Sequence, residues 1–153
     1  QWNGDETVLD LYCGIGTISL FFAQKAKYVI GNEVVAEAVK DAKRNAKRNH
    51  VENVKFLQGA AEEVIPIFYK KGLQIHVVVL DPPRKGCDEK LLNTILQISP
   101  KKIVYVSCDP ATMARDIKTF IQQGYCLKVV QPVDMFPHTI HVECVVLMSR
   151  VEK

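Results

Sequence analysis

Two groups of residues in this chain could do chemistry, and the first pairs a thiol with a carboxylate. Cys108, in Val106-Ser107-Cys108-Asp109-Pro110, ends an apolar run and stands just before a helix that Pro110 opens. A helix N-terminus presents partial positive charge, which favours an anionic sulfur nucleophile. A small core thiol is the plainer reading of a cysteine so placed. Glu143 interrupts the apolar run formed by Val142 and Cys144-Val-Val-Leu147. A carboxylate entering a buried strand is costly unless paired or used, so Glu143 is a candidate base. Asp81-Pro82-Pro83-Arg84-Lys85-Gly86 supplies a third piece. Its prolines fix a rigid, extended turn at a strand end, where ligands of open α/β sheets bind.

The second group suits a nucleoside cofactor. In Asp10-Leu-Tyr12-Cys-Gly14-Ile-Gly16-Thr17, the glycines permit a tight turn and close approach of a ligand to the backbone. Ser19 stands where a dinucleotide fingerprint has its third glycine, which weakens an NAD reading. No Gly-Lys-Ser/Thr follows, so a phosphate loop is excluded. Glu33 could accept hydrogen bonds from two ribose hydroxyls. Together, Asp10, the two glycines and Glu33 form the arrangement expected for S-adenosylmethionine. A glycine turn that binds nothing is the bland alternative.

Strands are expected at 8–11, 28–32, 54–57, 76–80, 103–106, 127–133 and 142–148. Most are short, β-branched and unbroken, as in strands buried on both faces of a parallel sheet. Helical patterns lie between them at 17–25, 36–49, 61–69 and 90–98. A fifth, at 111–123, follows Pro110 and stops before Gly124, the usual asymmetry of helix ends. The last two strands leave no room for a helix between them and must pair antiparallel. The expected fold is therefore α/β: a seven-stranded, doubly wound, Rossmann-like sheet with an antiparallel last strand, forming one domain over 1–153.

Composition narrows the class further. The chain has 153 residues, with 20 basic against 17 acidic side chains. That is length enough for an apolar core and too small a charge bias to identify a nucleic-acid binder. No apolar run reaches the roughly 20 residues of a membrane helix. Five cysteines with no Cys-x-x-Cys point to a reducing cytoplasm and to no metal site. Lys40, Lys43, Arg44, Lys47 and Arg48 fall on one helix face, either a solvated surface or a contact for an RNA backbone.

Four motifs in chain order, DLYCGIGT, DPPRKG, VSCDPATMARD and DMFPHTIHVE, closely resemble those of the RNA uracil-5-methyltransferases. The bacterial enzymes acting on 23S ribosomal RNA are the nearest likeness, ahead of the tRNA thymine-54 methyltransferases. The resemblance implies a class I S-adenosylmethionine-dependent methyltransferase domain. It implies Cys108 as nucleophile and Glu143 as base, with Tyr12, Gly14, Gly16, Thr17, Glu33 and Asp81 at the cofactor. Pro82, Pro83 and Arg84 would meet a uridine of RNA, expected to be 23S ribosomal RNA. A monomer is expected.

The sequence departs from that family at three places. Asp109 replaces the usual asparagine after the cysteine, and a carboxylate there should oppose thiolate formation. Thr17 replaces an asparagine found in some relatives. Gln58-Gly59-Ala60 offers no acid for an adenine amino group. The upstream RNA-binding domains of the family are also missing, so the expected entity is a catalytic-domain fragment, weak or inactive alone.

Overall fold

The computed structural model describes residues 2–70, 72–135 and 137–151. Seven strands and five helices follow one another along the chain. The first half comprises β1 (Thr7–Leu11), α1 (Thr17–Ala23), β2 (Tyr28–Glu33), α2 (Ala36–Arg48), β3 (Val54–Gln58) and α3 (Ala61–Lys70). The second half comprises β4 (Val77–Leu80), α4 (Glu89–Ile98), β5 (Lys102–Ser107), α5 (Pro110–Gln122), β6 (Tyr125–Val133) and β7 (Glu143–Arg150). The strands form one sheet in the order β3-β2-β1-β4-β5-β7-β6. The first five strands run parallel, and β7 lies antiparallel to both β5 and β6. This is the expected doubly wound architecture. Its order reverses between β1 and β4, where open α/β sheets bind ligands beyond their carboxyl ends.

Side-chain alternation along the strands divides the core into two layers. Leu9, Leu11, Val78, Leu80, Ile103 and Tyr105 pack with residues of α3, α4 and α5, among them Ile65, Leu91, Ile95 and Phe120. On the opposite face Val8, Val29, Val77 and Val79 meet Ala23 and Ala26 at the end of α1. Val39, Ala42 and Ala46 of α2 pack on Phe56 and Cys13. Every residue of β1 and β4 is buried, which is why β4 reads as an unbroken apolar run and β1 as one interrupted by Asp10.

Several boundaries differ from the sequence expectation by one to two residues. Helix α1 ends at Ala23 rather than at residue 25, and β6 begins at Tyr125, where Tyr125 packs into the core beside Phe120. Helix α2 keeps Lys43, Lys47 and Arg48 exposed, while Lys40 pairs with Glu37 and Arg44 with Asp41 along the helix. No helix among the described residues is long and apolar enough to cross a membrane.

Candidate active site

The glycine turn after β1 is dictated by sterics. Tyr12 leaves the strand at φ 62, Gly14 follows at φ 53, and Gly16 caps α1 at φ 87. A Cβ on Gly16 would also lie 2.8 Å from the Phe56 ring. Glycine is therefore required there both for its backbone angle and for the close packing beneath it. The exposed Thr17 begins the helix. Glu33, at the end of β2, faces this turn: its Oε2 accepts from the Gly14 amide at 3.1 Å. Its Oε1 accepts from the amides of Val34 and Val35 at 2.8 and 2.9 Å. The carboxylate is thus aimed and held by the backbone around it.

Under the turn lies Asp10, fully buried on β1. Its Oδ2 accepts from Ser19 Oγ at 2.5 Å, and its Oδ1 is a buried oxygen without a partner among the described residues. Ser19, absent from the usual glycine fingerprint, is thereby explained: the hydroxyl satisfies half of a buried acid. Burial drives the Asp10 pKa up to about 7, the Ser19 bond opposes the rise, and the nearby Asp81 adds to it. Asp10 was part of the sequence pattern, but neither its burial nor its free oxygen was legible there.

The sign of the resulting pH dependence is fixed. A carboxyl whose folded pKa exceeds its unfolded value favours the fold when protonated; that stability is lost as pH rises through about 7. Asp10→Asn is therefore expected to raise stability at pH 8 by on the order of 2 kcal/mol, with little change at pH 4. Urea unfolding midpoints at both pH values test this. Equal shifts at the two would show that ionisation of Asp10 is not responsible.

The second half of the candidate site forms where β4 and β5 end and β7 begins. β5 and β7 pair from Lys102 opposite Ser149 to Ser107 opposite Cys144, so the next residue on each strand, Cys108 and Glu143, lies at the same edge of the sheet. β4 pairs parallel to β5 with Leu80 opposite Tyr105, so Asp81 emerges at the same edge. Desolvation raises the Glu143 pKa above the ordinary carboxylate range, and the charge of Asp81 raises it further. Asp81 is itself raised by desolvation. Two acids of distant sequence, Asp10 and Glu143, thus each sense the charge of Asp81.

Around the thiol, Ser107 Oγ accepts from the Asp109 amide and donates to the Asp109 carbonyl, both at 3.0 Å. The Asp109 carboxylate is the N-cap of α5: its Oδ1 accepts from Ala111 and Thr112 amides at 3.0 Å. These bonds, Thr112 first, hold its pKa below the usual carboxylate range, and Arg84 contributes. The charge expected to oppose a thiolate is therefore engaged with the helix amides. In the Pro-Pro turn, Pro82 is buried while Pro83 and Arg84 are exposed, and the Gly86 amide closes the turn on the Pro83 carbonyl at 2.8 Å. Cys87 is a buried thiol beside Tyr105 and Tyr12, raised by burial to about 12. No cluster of metal-ligating side chains occurs among the described residues.

A doubly wound sheet whose carboxyl edge carries this glycine turn, Glu33, Asp81, Cys108 and Glu143 has the fold of the S-adenosylmethionine-dependent methyltransferases. Among solved structures it is similar to the tRNA (uracil-54, C5)-methyltransferase of Pyrococcus abyssi, determined with S-adenosyl-L-homocysteine. The TM-score is 0.79 at 34% identity, over 94% of this chain and 34% of that one. An rRNA methylase of Streptococcus thermophilus, 13% identical with a TM-score of 0.76 over 99% of this chain and 90% of that one, shares the fold alone. The family model for tRNA (uracil-5-)-methyltransferase matches residues 2–151, and the chain belongs to that family. Two Bacillus cereus proteins named as RNA methyltransferases are 64% identical over 151 residues and 60% identical over 149. These alignments cover 99% and 97% of this chain but 33% and 32% of the relatives, so the chain spans about a third of their length.

Proposed function

We propose that this chain transfers a methyl group from S-adenosylmethionine to carbon 5 of a uridine in RNA. The observation that supports the reading is that the β5–β7 ladder ends at Ser107 and Cys144, next to Cys108 and Glu143, at the edge where Asp81 follows β4. Carbon 5 of uracil is too weak a nucleophile to attack a sulfonium unaided. Addition of the Cys108 thiolate to carbon 6 moves the ring's electron pair to carbon 5 as an enolate. Bound S-adenosylmethionine supplies the electrophilic methyl group. Glu143 then takes the proton remaining on carbon 5, the double bond reforms, and Cys108 is expelled. The target base has to leave its stack for this, so a single-stranded or flipped-out uridine is the substrate form.

Glu33 would hold the cofactor's ribose hydroxyls, with Tyr12, Gly14, Gly16, Thr17 and Asp81 lining the rest of its site. Asp10, with a buried oxygen to spare, suits the ammonium of its methionine moiety. Pro82, Pro83 and Arg84 would meet the uridine. The motif likeness favours 23S ribosomal RNA as substrate and a monomeric cytoplasmic enzyme. Transfer RNA is a second reading, supported by the likeness to the Pyrococcus abyssi enzyme. A non-catalytic binding remnant is a third.

Calorimetry with S-adenosylhomocysteine tests the cofactor assignment. The unaltered chain is expected to bind, and Glu33→Gln to weaken binding by about ten- to a hundredfold, the loss of charge-assisted hydrogen bonds. Absence of binding by the unaltered chain would favour the remnant. Unchanged affinity in Glu33→Gln would remove Glu33 from the site.

A further inference from the structure

The segment that follows the Pro-Pro turn is tied to α5 by a buried charge that the mechanism above does not use. Asp116, on α5, is fully buried, and both its oxygens are engaged. Oδ2 accepts from the Tyr105 hydroxyl at 2.6 Å and from the Cys87 amide at 2.8 Å. Oδ1 accepts from Arg115 Nε at 2.9 Å and Nη2 at 2.7 Å. Arg115 Nη2 also donates to the carbonyls of Lys85 and Cys87, at 3.0 and 3.3 Å. One turn nearer the helix start, Thr112 Oγ1 donates to the Arg84 carbonyl at 2.9 Å. Residues 84, 85 and 87 are therefore all bonded to one face of α5.

Gly86 completes the fit. It sits at φ 76, and a Cβ there would lie 2.6 Å from both Arg115 Nη2 and Asp116 Oδ2. Only glycine lets the loop descend onto this ion pair. A buried carboxylate that accepts four hydrogen bonds is well satisfied, whereas one deprived of a partner is costly, so the arrangement has one stable geometry. Helix α5 begins two residues after Cys108 and β5, which carries Tyr105, leads directly into it. The clamp thus fixes the distance between Arg84 and Cys108 through a single rigid body.

We propose that Asp116, with Arg115, is a positioning residue that locks the Pro-Pro-Arg turn against the nucleophile helix so that Arg84 and Cys108 address the same uridine. This rests on the reading of Cys108 as the nucleophile. It assigns a role to residues far from the reacting atoms, and that role predicts slower adduct formation without loss of cofactor binding or of intrinsic thiol reactivity.

The test uses 5-fluorouridine-substituted ribosomal or transfer RNA transcripts, the full-length polypeptide and S-adenosylmethionine. Fluorine leaves no proton for the base to remove, so the methylated adduct persists and its rate of formation is read on a denaturing gel. Asp116→Asn is expected to slow that rate by about 30- to 100-fold. S-adenosylhomocysteine affinity should stay within twofold, and alkylation of Cys108 by iodoacetamide should keep its normal rate. Arg115→Leu, at a largely exposed side chain, should slow it by about tenfold, and Arg115→Lys should recover part of the loss. An adduct rate at the unaltered level in Asp116→Asn overturns the proposal. If Asp116→Asn does not fold, an unaltered rate in Arg115→Leu does the same. Failure of the unaltered protein to form any adduct instead overturns the nucleophile reading itself, and this proposal with it.

Discussion

Replacing Cys108 by alanine is expected to abolish methyl transfer while leaving the fold and cofactor affinity as they are. The substitution removes one sulfur from a half-buried position that packs at the mouth of the sheet rather than in its core. Its cost in stability should therefore stay below about 1 kcal/mol. Turnover, by contrast, depends on converting uracil into an enolate, and no other thiol can serve. Cys13 and Cys87 are buried and raised to about 12, Cys144 points to the opposite, buried side of β7 from Glu143, and Cys126 pairs with Ser149 at the far end of β7. Loss of the covalent route is expected to lower kcat/KM by at least about 10³-fold. The check is transfer of radiolabelled methyl to RNA beside an S-adenosylhomocysteine titration of the same preparation. Near-normal transfer by Cys108→Ala would end the covalent mechanism; loss of both transfer and binding would point to a damaged fold instead.

Glu143→Gln should fail at a different step and leave a trace of it. Addition of the thiolate and methyl transfer need no base at carbon 5, so both should proceed. Release requires that base, and an amide cannot take the proton. A methylated protein–RNA adduct is therefore expected to accumulate, visible as a slower band on a denaturing gel and labelled by the cofactor's methyl group. In the unaltered enzyme, desolvation and Asp81 raise the Glu143 pKa, so the base is stronger than a free carboxylate and becomes protonated at a higher pH. Turnover should fall as pH drops through that raised value, and Asp81→Asn should move the fall to lower pH. A Glu143→Gln enzyme that turns over normally with no adduct would assign proton removal elsewhere.

The fold was legible because its determinants are local. Short β-branched runs, Pro110 at a helix start and the helix-free interval between β6 and β7 each fix their element without help from distant residues. The gathering of the motifs was legible for a related reason: three follow the carboxyl ends of parallel strands, and the antiparallel β7 starts with Glu143 at that same edge. What escaped depends on pairing across the chain. Ser19 looks like a missing glycine until Asp10 is found beneath it, and Asp116 looks like an ordinary helix residue until the Cys87 amide, 29 residues earlier, is found bonded to it. Asp109 looked like a liability because its charge was legible and its direction was not.

The strand order carries a consequence for how such a chain comes to be active. β7, nearest the carboxyl end, is not an edge strand; it lies between β5 and β6, and it brings Glu143. During synthesis every other strand leaves the ribosome before it. Until β7 inserts, β5 has one open side, and under the proposed mechanism Cys108 stands without the carboxylate that would let it release a uridine. An incomplete chain that captured RNA would hold it as a dead-end adduct. Under that mechanism, placing the proton-removing carboxylate on an interior strand makes closure of the sheet and completion of the catalytic cycle the same event.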